Sequence, residues 1–126
     1  MDDLYREQIL DHYRHPRNFG KLKKTNAKAE DELVSCGDKY NLELWIDPKT
    51  KKVKNIGFSG TGCAISMASA SLLSEYIQDK PISALQRLGK DDILRLLGIN
   101  PTPTRLKCAL LSLEILQKAL QNYGKV

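Results

Sequence analysis

The chain has 126 residues, 41% of them hydrophobic, and 20 Lys and Arg against 15 Asp and Glu give it a net charge of +5. That is enough apolar material for one core in one domain spanning 1–126, but no run approaches the ~20 apolar residues a membrane-crossing helix needs. The acidic start Met1-Asp2-Asp3 is unlike a secretory leader, and no aromatics interleave with the lysines at Lys21, Lys23, Lys24 or at Lys49, Lys51, Lys52, Lys54 as base-stacking platforms would. A cytoplasmic protein without membrane or nucleic-acid partners is expected. In a reducing compartment its three cysteines are available for metal or thiol chemistry rather than for disulfides.

In chain order, Tyr5, Ile9, His12 and Tyr13 recur at helical spacing, with Asp2 or Asp3 able to cap the start and Pro16 ending the run, which predicts a first helix over Leu4 to Tyr13. Arg14 to Glu30 lacks periodicity and reads as a long connection. Tyr40, Leu42, Leu44 and Ile46 alternate with polar partners, Asp47-Pro48-Lys49-Thr50 forms a turn, and Val53 to Ser59 returns as an antiparallel strand. A third strand is placed around Glu32 to Ser35. After Gly60-Thr61-Gly62-Cys63, the residues Ile65, Ala68, Leu72 and Tyr76 mark a helix whose many small residues suit close packing on the sheet. Ser83 and Asp91 are read as caps of short helices ending at Gly89 and Gly98. Beyond Asn100-Pro101-Thr102-Pro103 a long last helix carries Ala109, Leu113, Leu116, Leu120 and Tyr123 on one stripe. The predicted class is α+β, a small antiparallel sheet of about three strands with helices packed on it.

Every cysteine falls where one element gives way to another. Cys36 precedes Gly37 in a loop, Cys63 starts a helix after a glycine-rich turn, and Cys108 is read in the first turn of the last helix. Any one alone would be explained as a small buried apolar residue, but three at element ends point to function. Helix N-termini favour thiolate, so Cys63 and Cys108 are expected to be acidic thiols, with Lys107 acting on Cys108 in the same direction. Three thiolates need a fourth ligand for a tetrahedral site. Asp38, two residues after Cys36, is the nearest candidate, with a backbone-bonded turn residue as the equal alternative. No Cys-x-x-Cys pair is present, which excludes zinc knuckles.

The segments Tyr5-Arg6-Glu7, Leu10-Asp11-His12-Tyr13 with Pro16-Arg17-Asn18, Cys36-Gly37-Asp38, Gly62-Cys63-Ala64-Ile65-Ser66 with Ala68-Ser69-Ala70-Ser71, and Arg105-Leu106-Lys107-Cys108 together resemble the IscU/SufU/NifU-type iron–sulfur cluster assembly scaffolds, in the same order and over nearly the whole chain. The resemblance implies a non-enzymatic carrier that receives sulfur from a cysteine desulfurase and iron from a donor. It would hold a transient [2Fe–2S] cluster or zinc on Cys36, Asp38, Cys63 and Cys108 and pass the cluster to acceptor apoproteins. It also implies sulfur-transfer roles for Cys108 and Lys107.

Two departures are visible. IscU-type members have histidine where this chain has Lys107, as SufU-type members do, yet the step from Cys63 to Cys108 is too short for the SufU-type insertion. The proline-rich segment that IscU-type members offer a chaperone is represented only by Asn100 to Thr104, which leaves a dedicated chaperone partner weakly encoded. The alternatives are a SufU-type zinc-dependent sulfur-transfer protein and a plain zinc-stabilised interaction domain.

Overall fold

A computed structural model describes residues 3–124. Helix α1 (Asp3–Arg14) leads through a long connection into strand β1 (Ala27–Leu33), which a one-turn 3-10 helix (Val34–Cys36) joins to β2 (Asp38–Ile46). Strand β3 (Val53–Thr61) precedes α2 (Ala64–Tyr76), the short α3 (Ile82–Leu85), α4 (Lys90–Leu97) and the long α5 (Pro103–Gln121). The strands form an antiparallel meander in the order β1-β2-β3. This is the predicted α+β architecture. No helix among the described residues is long and apolar enough to cross a membrane.

The alternation in β2 does what its period requires: Tyr40, Leu42, Leu44 and Ile46 are buried, while Asn41, Glu43 and Trp45 lie on the outer face. Onto the inner face pack Ile115, Leu116, Ala119 and Leu120 of α5, each close to fully buried. The isoleucine and the two leucines each contribute about 1.5–3 kcal/mol relative to exposure. The third strand lies earlier than expected, at Ala27–Leu33 rather than Glu32–Ser35, and takes in the end of what had read as connection. Its inward positions are Ala27, Ala29, Asp31 and Leu33, too small or polar to register as an apolar alternation. Ala27 is wholly buried because α5 packs directly against this strand.

The small residues of α2 serve helix–helix contact more than sheet contact. Ser69 Oγ donates to the Ala109 carbonyl at 2.6 Å and meets Ser112 Oγ at 3.0 Å, which lets α2 and α5 approach closely. Caps also differ from expectation. Pro81, not Ser83, precedes α3, and Gly89, not Asp91, precedes α4, its N–H donating to the Asp92 carboxylate. Gly98, at φ 70°, closes α4 as expected. The cap assigned to Asp2 or Asp3 lies outside the described side chains.

On the other flank of α2, Ser71 Oγ accepts the Arg17 N–H at 2.9 Å and lies 2.7 Å from Nδ1 of buried His12, while His12 Nε2 is 3.7 Å from Glu75. Burial pushes the His12 imidazole below its ordinary value; the Arg17 charge adds to this, and Glu75 and Asp11 oppose it. The fold therefore disfavours protonated His12, whereas the unfolded chain protonates it near 6.5. As pH falls through that value the unfolded state binds more protons, and stability is lost. Denaturation midpoints should thus drop between about pH 7.5 and about pH 5, and His12→Gln should flatten that part of the profile. An unchanged slope in the variant would remove His12 from the account.

Candidate metal centre

Strand register alone gathers three of the four expected residues. Leu33 pairs with Asp38 across the β1–β2 turn that carries Cys36, and Lys39 pairs with Thr61, so the end of β3 delivers Gly62 and Cys63 beside Asp38. Gly37, at φ 71°, gives that turn its left-handed step. Helix α5 then brings Cys108 against the same end of the sheet.

Ligand atoms of Cys36, Asp38 and Cys108 all lie within 4.8 Å of one another. Cys63 joins through Asp38, whose Oδ1 accepts the Cys63 backbone N–H at 2.8 Å and whose Oδ2 is 3.9 Å from Cys63 Sγ. Cys63 caps α2, its sulfur accepting the Ser66 N–H at 3.4 Å. The Sγ atoms of Cys108 and Cys36 are 2.9 Å apart, with the Cys108 thiol donating. Soft thiolates with one carboxylate suit zinc or iron, and a tetrahedral zinc on sulfur needs ligand atoms roughly 3.8 Å apart. The donor set therefore fits such a metal in kind; the 3.9 Å between Cys63 Sγ and Asp38 Oδ2 already matches that spacing, and the Cys36–Cys108 pair would open from 2.9 Å on binding it.

Asp38 is 1% exposed and Cys108 0%, while Cys36 and Cys63 are half-buried. For Cys108 the acidic-thiol expectation fails. Pro103 occupies the first turn of α5 and Thr102 caps it, which sets Cys108 one turn deeper than predicted. Burial pushes its thiol up, and so do the contact with Cys36 and the proximity of the Cys63 and Asp38 side chains. Lys107, the next residue round the helix, is exposed.

Two supports escaped the sequence reading. Tyr40 OH and Ser66 Oγ are 2.8 Å apart, and Ser66 Oγ also donates to the Cys63 carbonyl at 3.1 Å. Burial raises the Tyr40 phenol above its usual range, so it remains a neutral hydrogen-bonding group under the site. The one available signal was Ser66 standing three residues after a helix-starting Cys63, the cap-to-N3 spacing. A methyl added at Gly62 would run into Tyr40 OH, Ser66 Oγ and Asp38 Oδ1. Gly62→Ala should therefore destabilise the fold by about 1–3 kcal/mol and weaken metal retention together with it. Wild-type denaturation and metal content in Gly62→Ala would show that the tight fit is not functional.

A compact α+β domain with three cysteines and a buried aspartate at one end of its sheet defines a thiolate-rich metal-binding protein. The chain belongs to the NifU-like N terminal domain family, whose model matches residues 4–126. It is 34% identical over 137 aligned positions to the zinc-dependent sulfurtransferase SufU of Bacillus subtilis, covering 95% of this chain and 91% of that one. With the iron–sulfur cluster assembly scaffold protein IscU of Aquifex aeolicus the identity is 33% over 123 residues, 98% of this chain and 78% of the other. A crystal structure titled as a putative iron–sulfur cluster assembly scaffold protein for the SUF system, from Fervidobacterium islandicum, superposes with a TM-score of 0.79 at 26% identity. That match covers 90% of this chain and 94% of the other.

Proposed function

We propose that this chain acts, as one domain, as a scaffold for iron–sulfur cluster assembly. It would receive sulfur from a cysteine desulfurase and iron from a donor, hold a [2Fe–2S] cluster as cargo on Cys36, Asp38, Cys63 and Cys108, and pass it to acceptor apoproteins. The observation that carries this reading is the convergence of Cys36, Asp38 and Cys108 within 4.8 Å, with Cys63 tied to Asp38. Kinship with scaffold proteins supports it. The residues divide the work. Asp38 is fixed by the Cys63 N–H and sets the geometry, and Cys36 sits on a short turn open to solvent. Cys108 closes the site from below.

A second reading is zinc-dependent sulfur transfer, favoured by exposed Lys107 beside Cys108 and by the SufU relative. There zinc would organise the thiolates, and Lys107 would steady an anionic persulfide at the surface. Anaerobic reconstitution with ferrous iron, cysteine and a desulfurase, followed by absorption spectroscopy and metal and sulfide analysis, separates the two. Charge-transfer bands with iron and sulfide in equal amounts support the scaffold. Retained zinc with transferable persulfide and no cluster supports sulfur transfer. Neither cluster nor sulfur uptake overturns both.

A further inference from the structure

The geometry points to Cys36 and Cys108 as a persulfide-resolving pair: sulfane sulfur delivered to Cys36 is released as sulfide by attack of the Cys108 sulfur on Cys36 Sγ. The inference rests on the reading that this chain accepts sulfur, and adds how that sulfur is reduced. It concerns the metal-free site.

Three observations carry it. The two Sγ atoms are 2.9 Å apart, and that is the distance along which a disulfide would form. Their exposures differ: Cys36 is half-buried on the 3-10 turn, beside Val34 at 81% exposure, whereas Cys108 is 0% exposed. A sulfur donor approaching from solvent therefore reaches Cys36 before Cys108. Finally, the Cys108 thiol donates toward Cys36, which keeps its proton directed at the pair.

After transfer, Cys36 bears a terminal sulfur, Cys36–S–S⁻, and its inner sulfur is the atom already in contact with Cys108. The Cys108 sulfur bonds to that inner sulfur, the bond to the outer sulfur breaks, and the outer sulfur leaves with the Cys108 proton as HS⁻. One sulfane sulfur is reduced to sulfide and two cysteine sulfurs are oxidised to a disulfide, with no other electron donor. An external dithiol then reopens the pair for the next cycle. Sulfide is thereby produced at the site where iron is to be bound.

The test uses the full chain, freed of metal with chelator and kept anaerobic without reductant. It is loaded in parallel with a desulfurase plus cysteine and with inorganic polysulfide. Sulfide is measured colorimetrically, and the thiols by intact mass and peptide mapping. Wild type should release sulfide and yield a Cys36–Cys108 disulfide. Cys108→Ser should keep the added sulfur on Cys36 and release at least ~10-fold less sulfide. If polysulfide gives these results and the desulfurase leaves the chain unmodified, the resolving step stands and the sulfur source proposed above falls. A persulfide that persists on wild type overturns the inference, as does a disulfide that includes Cys63 or sulfide release from Cys108→Ser equal to wild type. The mapping of wild type decides the matter even where a variant folds poorly.

Discussion

Replacing Cys108 by serine should cost zinc retention more than the ~10–100-fold that loss of a mere supporting group costs, and the Cys36→Ser and Cys63→Ser variants should behave likewise. Serine offers a hard, protonated oxygen where a soft thiolate binds, so the exchange removes a ligand while altering little volume. The loss should be greatest at Cys108, because that site is sealed from water and no solvent ligand can take its place. Competition against a chromophoric chelator gives the affinities, and metal analysis gives the stoichiometry. Undiminished zinc in all three variants would refute the assignment of this cluster as a metal centre.

Asp38→Ala should do two things at once. Without the carboxylate, the Cys63 N–H loses its 2.8 Å acceptor inside a part-buried turn, and an unsatisfied donor of that kind costs about 1–3 kcal/mol. The sequence offered Asp38 as a ligand or a turn residue; its burial makes it a brace for the fold. Metal retention should fall with it. Asp38→Asn separates the roles, since an amide oxygen can still accept from Cys63 while the negative charge is gone. That variant should recover most of the thermal stability yet still bind zinc more weakly than wild type. Wild-type affinity in Asp38→Asn would leave Asp38 a turn residue only.

These two roles of Asp38 show what a linear reading can and cannot reach. Strand β2 was legible because a half-buried sheet writes an alternation into the chain, and β3 because a short turn precedes it and Ile56 and Phe58 mark its buried face. Strand β1 was not, because its inward residues are two alanines, an aspartate and one leucine, and its place is set by α5 lying across it. The cysteines were legible as a set, since Cys36 and Cys63 stand at element ends and Cys108 lies near the start of α5. Their depths were not: where Cys108 sits depends on which residue caps α5, and Thr102 with Pro103 at the first position moved it a turn inward. The Tyr40–Ser66 support joins residues 26 positions apart, a contact created by folding alone.

The turn that carries Cys36 has a mechanical consequence. It is held at both ends by the Leu33–Asp38 pair of the ladder, leaving only Val34 to Gly37 between fixed points. Chain of that length, at roughly 3.5 Å per residue when fully extended, doubles back on itself and cannot swing its thiol far beyond the rim of the sheet. The turn thus holds the Cys36 thiol stationary at that rim. A group that reacts with Cys36 must therefore make the approach itself.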